Sequence, residues 1–431
     1  MSTPDASSAE SKSGTAPIIW IALALALACG IALRLAWPLD IEYKTDERWT
    51  FEQVQALLAG GAWPWIGMRT SFGPPNPGLS LWLFAGLGWL FAPQTPPQLA
   101  RLVQGLNIAA LLAFVAFARF AVPALRRELW LWAAALWAVN PVAIIYERKI
   151  WPPSVLPIFT VALIAAWWYR HRAVPAFLWG AIGALMTQIH LGAGLFAFAL
   201  VLWTAITNWR SARWLAWFTG SALGAVPLLP WLADALTQHR EMLVRVRLPI
   251  VQFFPRWATQ PFGLGIHSFT GDEFLDFLRS PVFSGTQTYV AGLAYGALAV
   301  LYVWMLVRLA AAIGRGGLPS ARVAFLGDTP ELILTNSALW GYGGLMTLLT
   351  AFGLDSSRNY LIVIGPVMAL WAAILVLEWA VPSDPRAGRR LLAGFCLLQA
   401  AISFGVLAYV HNVQIVRGDY GPTWLSQQAK P

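Results

Sequence analysis

The apolar residues of this chain come in blocks of about 18 to 22, the length a helix needs to cross roughly 30 Å of hydrocarbon. Blocks of that length, repeated from one end of the chain to the other, exclude a water-soluble fold. Composition agrees: of 431 residues, 58% are hydrophobic and 11% charged, against roughly 25% charged in an ordinary soluble domain. The 29 basic and 20 acidic residues leave a net charge of +9. In a soluble chain that surplus would point to nucleic acid. In a membrane chain it reads as topology and contact with phospholipid, and no nucleic-acid partner is expected.

Blocks bounded by charge, Pro or polar clusters place spans near 18–37, 98–121, 129–146, 152–168, 174–189, 191–207, 214–232, 289–308, 336–353, 360–380 and 391–410. The expected fold is therefore an all-α polytopic membrane protein with about eleven transmembrane helices. A further block at 77–92 follows Pro74, Pro75 and Pro77 and is short for a span. If it lies along the interface, the loops carrying Arg126/Arg127, Arg170/Arg172, Arg210/Arg213, Arg315/Arg322 and Arg386/Arg389/Arg390 all share one side, as the positive-inside rule requires. This layout makes 1–17 a disordered cytoplasmic tail and 18–410 the membrane domain. Long external loops follow at 38–97 and 233–288, with an external tail at 411–431. Chemistry is expected on that outer face, where the non-spanning residues are concentrated. Cys29 and Cys396 lie in separate apolar blocks and offer neither a disulfide framework nor a zinc spacing.

The first external loop reads YKTDERWTFEQVQALLAGGAWPWIGMRTSFGPPNPGLSLWL. Thr45 is expected to cap a helix that carries Asp46 and Glu47 in its first turn and ends at Gly60-Gly61. A partly desolvated carboxylate there suits a general base that takes a proton from an attacking hydroxyl or amine. Acids at a helix start are also what the dipole favours.

A first span, a DE pair opening an amphipathic helix, a G-x-W-P turn, a proline-rich stretch and an apolar L-x-x-W-L helix together resemble the GT-C glycosyltransferases. The likeness is to the superfamily of protein O-mannosyltransferases and lipid A aminoarabinose transferases, and is strongest over 40–92. The resemblance implies external juxtamembrane helices, a polyprenyl-phosphate sugar donor and transfer with inversion on the external face to a lipid, glycan or protein acceptor. It implies Asp46 as the base. Glu47 would be its active-site partner, positioning groups or, with Glu147, holding a divalent cation. In two places the chain departs from the aminoarabinose branch. Trp49 stands where that branch has a basic residue, and Phe72-Gly73-Pro74-Pro75 lacks its lysine, so Arg48 and Arg69 are the nearby cations left to meet a donor phosphate.

Other external residues invite a binding role. Glu147, with Arg148 and Lys149, sits where the family carries a second acid; the alternative is an interfacial cluster with Tyr146 and Trp151 as belt aromatics. His190, at a tight outer turn before Gly192, Ala193 and Gly194, is a candidate for phosphate binding or for a buried hydrogen bond. In 233–288, Arg240, Arg245, Arg247 and Arg256 are interleaved with apolar residues, a pattern suited to an anionic lipid head. The segment Thr270–Arg279 reads as a capped amphipathic helix with Glu273 at the capping-box position. Arg358 and Tyr360 open a Pro-containing span, a place where related transferases face the donor phosphate. Rival readings are a lipid-linked sugar flippase or transporter, and a cell-envelope polysaccharide polymerase or ligase built on the Arg and His residues. The expected location is the bacterial inner membrane, with the amino terminus in the cytoplasm.

Overall fold

Helices dominate the computed structural model, which describes residues 17–69, 75–237, 252–316, 325–351 and 358–428. Among them are eight helices long and apolar enough to cross a bilayer: Ile18–Leu35, Pro96–Phe120, Leu191–Ser211, Trp214–Thr237, Val290–Gly314, Pro330–Ala351, Tyr360–Ala380 and Pro385–Val413. The count of eleven therefore does not follow from helix length. Residues 152–168 and 174–189 are helical over 17 residues at most, the lower limit for a span. Residues 129–146 form two helices with a bend between them.

Nine helices frame the candidate site: α1 (Pro17–Leu35), α2 (Thr45–Leu58), α3 (Leu79–Phe91), α4 (Pro96–Phe120), α5 (Ala124–Val139), α6 (Pro141–Tyr146), α7 (Leu156–Trp168), α8 (Ala173–Ile189) and α9 (Leu191–Asn208). In α4 the first turn is built by Thr95 at the cap, Pro96 at the first helical position and Gln98, whose side chain accepts the Thr95 N–H at 3.2 Å. One stripe of α4 is buried at Leu99, Val103, Asn107, Leu111, Phe114 and Ala118, a three-to-four residue spacing that marks a helix with one core face.

The next helix has no outward face: every residue of α5 from Leu129 to Val139 is buried. It packs against α1, α4 and the spans Tyr360–Ala380 and Pro385–Val413, and so forms the axis of the molecule. Trp130 fills the space between Phe114, Phe117 and Trp168, with ring centroids 5.2–5.6 Å apart. Pro141 cannot continue α5 and holds Asn140 extended. The Asn140 side chain then accepts the Val142 and Ala143 N–H groups at 3.1 Å and donates to the Gln260 carbonyl and to Gln399 Oε1. The bend is thus a capped corner that turns α6 toward the first loop.

By contrast, only 17% of the best window of Val290–Gly314 is buried. Its outward residues Leu293 and Val300 are 72% and 71% exposed, a lipid-facing composition. At 13 residues α3 spans only about 20 Å, too short to cross, and it lies against α2, α4 and α8. A short hairpin precedes it, β1 (Ile66–Arg69) pairing antiparallel with β2 (Pro75–Pro77).

Two clusters of charge mark the two ends of the helices. At one, Arg126 meets Glu331 and Glu378, and Arg389 grips Glu128 with two bonds of 2.7 and 2.9 Å. At the other, the first loop meets the carboxyl tail. Residues Ile415–Val416 and Gly421–Pro422 form a hairpin, and Tyr43 N–H and Trp424 N–H bond across to the Pro422 and Ile41 carbonyls. The tail is therefore part of the wall of the first loop.

Candidate active site

Helix α2 starts one residue earlier than expected. Lys44, not Thr45, is the cap residue, and the Glu47 carboxylate reaches back to accept the Lys44 N–H at 3.0 Å. That bond turns Glu47 inward, to 2% exposure. Its neighbour Asp46 is left half-buried on the open side of the first turn. Among the described residues, one hydrogen bond reaches the Asp46 carboxylate: Trp151 Nε1 donates to Oδ2 at 3.2 Å. Trp151 in turn stacks on Tyr146, and the Lys149 ammonium lies over both rings at 5.2 and 5.3 Å.

Behind this pair lies an ionic network that the sequence reading missed. Glu42, 1% exposed, is bridged by Lys44 and Lys149. Burial is the largest influence on Glu47 and pushes its carboxyl up to about 7; nearby Lys149 pulls the other way, and Glu42 adds to the rise. The signal was present in DIEYKTDE, where Asp40 and Glu42 precede the DE pair at alternating positions.

The three charges after Tyr146 have separate fates. Glu147 is fully enclosed: Arg34 of α1 holds Oε2 at 2.6–2.7 Å and Trp137 donates to Oε1 at 2.9 Å. Arg34 also bonds the Gly30 and Ala138 carbonyls. Arg148 donates to the Leu33 and Trp37 carbonyls and anchors the end of α1. Lys149 reaches the acidic loop, where it bridges Glu42. Both Glu147 oxygens are thus taken up by structural donors, and Glu47 is committed to the α2 cap. Among the described residues no group of three or more His, Cys, Asp or Glu has the arrangement to hold a metal ion.

From Trp151 a continuous row of elements runs to the remaining candidates. Residues 152–155 pack on the turn Arg358–Ile364, which also contacts α7 and α9. Tyr360 in that turn meets His190 at the α8–α9 junction, ring centroids 4.9 Å apart, and its carbonyl accepts the Tyr342 hydroxyl at 2.8 Å. Gly192 is required here, because a Cβ at that position would come within 2.4 Å of the Tyr360 ring. Desolvation pushes the His190 imidazole down to about 4, so His190 presents a neutral ring rather than a cation. Beneath this row, a small cavity of about 30 Å³ is lined by Asn140, Tyr146, Glu147, Gln260, Ile362 and Met368 among others, space for a water or two.

The arginines are less concentrated. Arg48 turns to the tail, where it bonds Gln427 and lies 5.8 Å from the centre of the Tyr43 ring. Arg69 is exposed at the end of β1. Arg256, on the helix Phe253–Thr259, bonds Gln252 one turn back. Arg240, Arg245, Arg247, the stretch 70–74 and the Arg358 side chain lie outside the described residues. The expected helix Thr270–Arg279 is interrupted: Gly271 takes a φ of +53°, a tight turn spans Gly271–Glu273, and the helix begins at Phe274. Glu273 does not cap it, because its carboxylate accepts the Tyr409 hydroxyl at 3.1 Å.

No protein-family model matches the chain, and no curated protein matches it in sequence. Solved structures similar to it include ArnT from Cupriavidus metallidurans bound to undecaprenyl phosphate, at 14% identity over 93% of this chain and 80% of that one, TM-score 0.41. The same protein in the apo state gives 14% identity over 92% and 79%, TM-score 0.40. The Archaeoglobus fulgidus oligosaccharyltransferase in the apo form gives 12% identity and a TM-score of 0.45 over 89% of this chain, which spans 56% of that protein's length.

Proposed function

We propose that this protein is an integral membrane glycosyltransferase that moves a sugar from a polyprenyl-phosphate donor to a lipid, glycan or protein acceptor on the external face, with inversion. One observation carries the reading: Asp46 is half-buried at the first turn of α2, with Trp151 as the one oriented donor to its carboxylate among the described residues. The acids around it, Glu42 and Glu47, are buried and committed to the scaffold. A base needs one carboxylate oxygen held and the other available to the acceptor proton. The likeness of residues 40–92 to the GT-C enzymes supports the same assignment. Asp46 would take the proton as the acceptor oxygen or nitrogen attacks the anomeric carbon, and the sugar–phosphate bond would break to leave polyprenyl phosphate. Cations at this end of the helices, Arg69 and Arg256 among them, would stabilise that leaving group.

The test uses full-length protein in liposomes with synthetic polyprenyl-phosphate monosaccharides, reading release of polyprenyl phosphate. Asp46→Asn should lower kcat by about 10²–10⁴, the range of a lost general base. Trp151→Phe keeps the ring under Lys149 but removes the donor, and should cost about tenfold in kcat, as for one hydrogen bond. A folded Asp46→Asn protein with unchanged turnover would refute the assignment.

A further inference from the structure

At the end of the helices opposite Asp46, the turn after α7 meets the turn after α9, and basic residues gather there without acids. Residues 148–233 contain no Asp or Glu, yet Arg170, His171 and Arg172 stand in the first turn and Arg210 and Arg213 in the second. The two turns are tied together: Arg213 N–H donates to the Arg170 carbonyl at 3.0 Å, and Arg213 Nε to the His171 carbonyl at 3.3 Å. Arg170 is the buried member of the group, 6% exposed. Its Nε donates to Ser211 Oγ at 2.8 Å and its Nη1 to the Trp167 carbonyl at 3.2 Å, and the guanidinium lies 4.3 Å from the centre of the Trp167 ring. All of these partners are neutral, whereas a buried charge is ordinarily paired. Burial alone pulls the guanidinium down to about 10, so the charge persists at neutral pH and no carboxylate offsets it. Among the described residues the four arginines form no ion pair. The helix Pro330–Asn336, which packs on α9, brings one acid, Glu331, and Arg126 and Trp130 hold it.

From these turns α8 packs on both α9 and α10 (Trp214–Gly224). It meets α10 backbone to backbone, since a Cβ at Gly180 would come within 2.1 Å of the Trp217 carbonyl oxygen and one at Gly220 within 1.9 Å of that of Phe177. Between α9 and α10 there remains a groove of about 210 Å³, lined by small residues of all three helices, Gly183, Ala184, Ala197 and Ser221 among them. Phe198 on its rim is 56% exposed, so the groove opens sideways, toward hydrocarbon. The connection from α9 to α10, which carries Arg210 and Arg213, closes it at one end. Tryptophans join the two features. Trp179 and Trp217 line the groove and lie against Trp214, ring centroids 5.7 and 5.9 Å away, and Trp214 stacks on Trp209 at 4.4 Å, beside Arg210. Indoles in such a column mark the level of a lipid headgroup.

We propose that the two basic turns and the groove form one binding site for a net-anionic bilayer phospholipid, its head held by the arginines and one acyl chain lying between α9 and α10. Charge decides the occupant. Guanidinium groups keep their charge throughout the physiological range and present forked donors that match a phosphate. The phosphodiester is common to zwitterionic and anionic lipids, so it does not select between them. A zwitterionic head brings its own ammonium to a cluster that has no carboxylate to receive it, whereas a net-anionic head supplies the missing counter-charge. Distance separates this lipid from the sugar donor. The 18 residues of α9 cover about 27 Å, and Asp46 stands at the far end of the helices. The site is therefore independent of the transfer reaction, and it exists in either orientation of the chain, since both leaflets supply phospholipid.

The test uses full-length protein in nanodiscs of phosphatidylglycerol, phosphatidylcholine and phosphatidylethanolamine in equal parts. Native mass spectrometry reads the retained lipid, and a diazirine on the phosphatidylglycerol acyl chain reports where that chain lies. Phosphatidylglycerol should be retained at least about fivefold over either zwitterion, the effect of one basic residue beside an anionic lipid, and the preference should shrink as ionic strength rises. Arg210→Gln combined with Arg213→Gln, both exposed positions, should bring the three lipids to near-equal retention. Cross-links should map to 179–187, 194–201 and 217–221, and Ala184→Trp, or Ser221→Phe if the first fails to fold, should remove them. Equal retention of the three lipids by the wild type, an unchanged preference in the double arginine variant, or labelling that lies elsewhere or survives the filled groove would overturn the proposal. So would retention of undecaprenyl phosphate over phosphatidylglycerol at equal concentration, which would make the turns a site for an isoprenoid phosphate.

Discussion

At the scale of single residues, adjacent acids in one motif have been given opposite environments. Asp46 and Glu47 are neighbours in sequence, yet a helix turns successive side chains by about 100°, and the bond from Glu47 to the Lys44 N–H decides which of them points inward. The consequence for Glu47 is a stability that depends on pH. Its carboxyl lies at about 7 in the folded protein, against an ordinary glutamate value of 4.5. Between those values the folded state holds a proton that the unfolded state has lost, so this group's contribution to stability falls as pH rises through that window. Below it the buried carboxyl is neutral and the cost is absent; above it the full cost of the buried charge is present. Glu47→Gln removes the titration while keeping an acceptor for the Lys44 N–H. The difference in Tm between the variant and the wild type should therefore grow in the variant's favour from pH 5 to pH 8, measured in detergent by intrinsic fluorescence. A difference independent of pH would show that Glu47 is not the titrating group.

At the scale of elements, the fold is tied together by contacts between distant parts of the sequence. Arg34 and Glu147 are 113 positions apart, and their pairing locks the end of α1 to the corner after α5. Position 147 could be read as an external acid beside a candidate site, but its partner could not be seen, because nothing local marks Arg34 as inward-facing. The same limit explains the helix starts. The first turn of α2 was legible as a cap followed by acids, and the structure moves it by one residue. The interruption at Gly271 follows from its place against the tail, where a Cβ would come within 2.5 Å of the Arg417 carbonyl. The Arg34–Glu147 pair also yields a test that separates structure from catalysis. Arg34→Met strands a buried carboxylate and should destabilise by about 3–5 kcal/mol, whereas Arg34→Met with Glu147→Met should recover most of the loss. Thermal unfolding checks the stability, and donor turnover by the double variant checks the role. A stable double variant that had lost turnover would return Glu147 to the active site.

At the scale of the whole molecule, the eight long apolar helices were plain in the sequence because length and composition alone define them. The marginal segments were not, since α3, the helix after Trp151 and α8 owe their placement to packing against neighbours. What those segments do fixes the proposed topology. If α3 lies along the interface, Thr95 and Lys149 share the outer side with Asp46, and the Arg-rich turns at 170–172 and 386–390 face the cytoplasm. If α3 crosses, every later loop inverts, and the basic turns come to lie outside, against the charge rule. Its length of 13 residues favours the first arrangement, because about 20 Å of helix would leave roughly 10 Å of hydrocarbon unspanned. Fusions of alkaline phosphatase, active only outside, and of green fluorescent protein, fluorescent only inside, should resolve the two. Phosphatase activity is expected after residues 95 and 150, and fluorescence after residue 171. Fluorescence after residue 95 with phosphatase activity after 171 would make α3 a span, leaving Asp46 outside and moving Lys149 and Trp151 to the cytoplasmic face, which would overturn a site in which Trp151 bonds the Asp46 carboxylate at 3.2 Å.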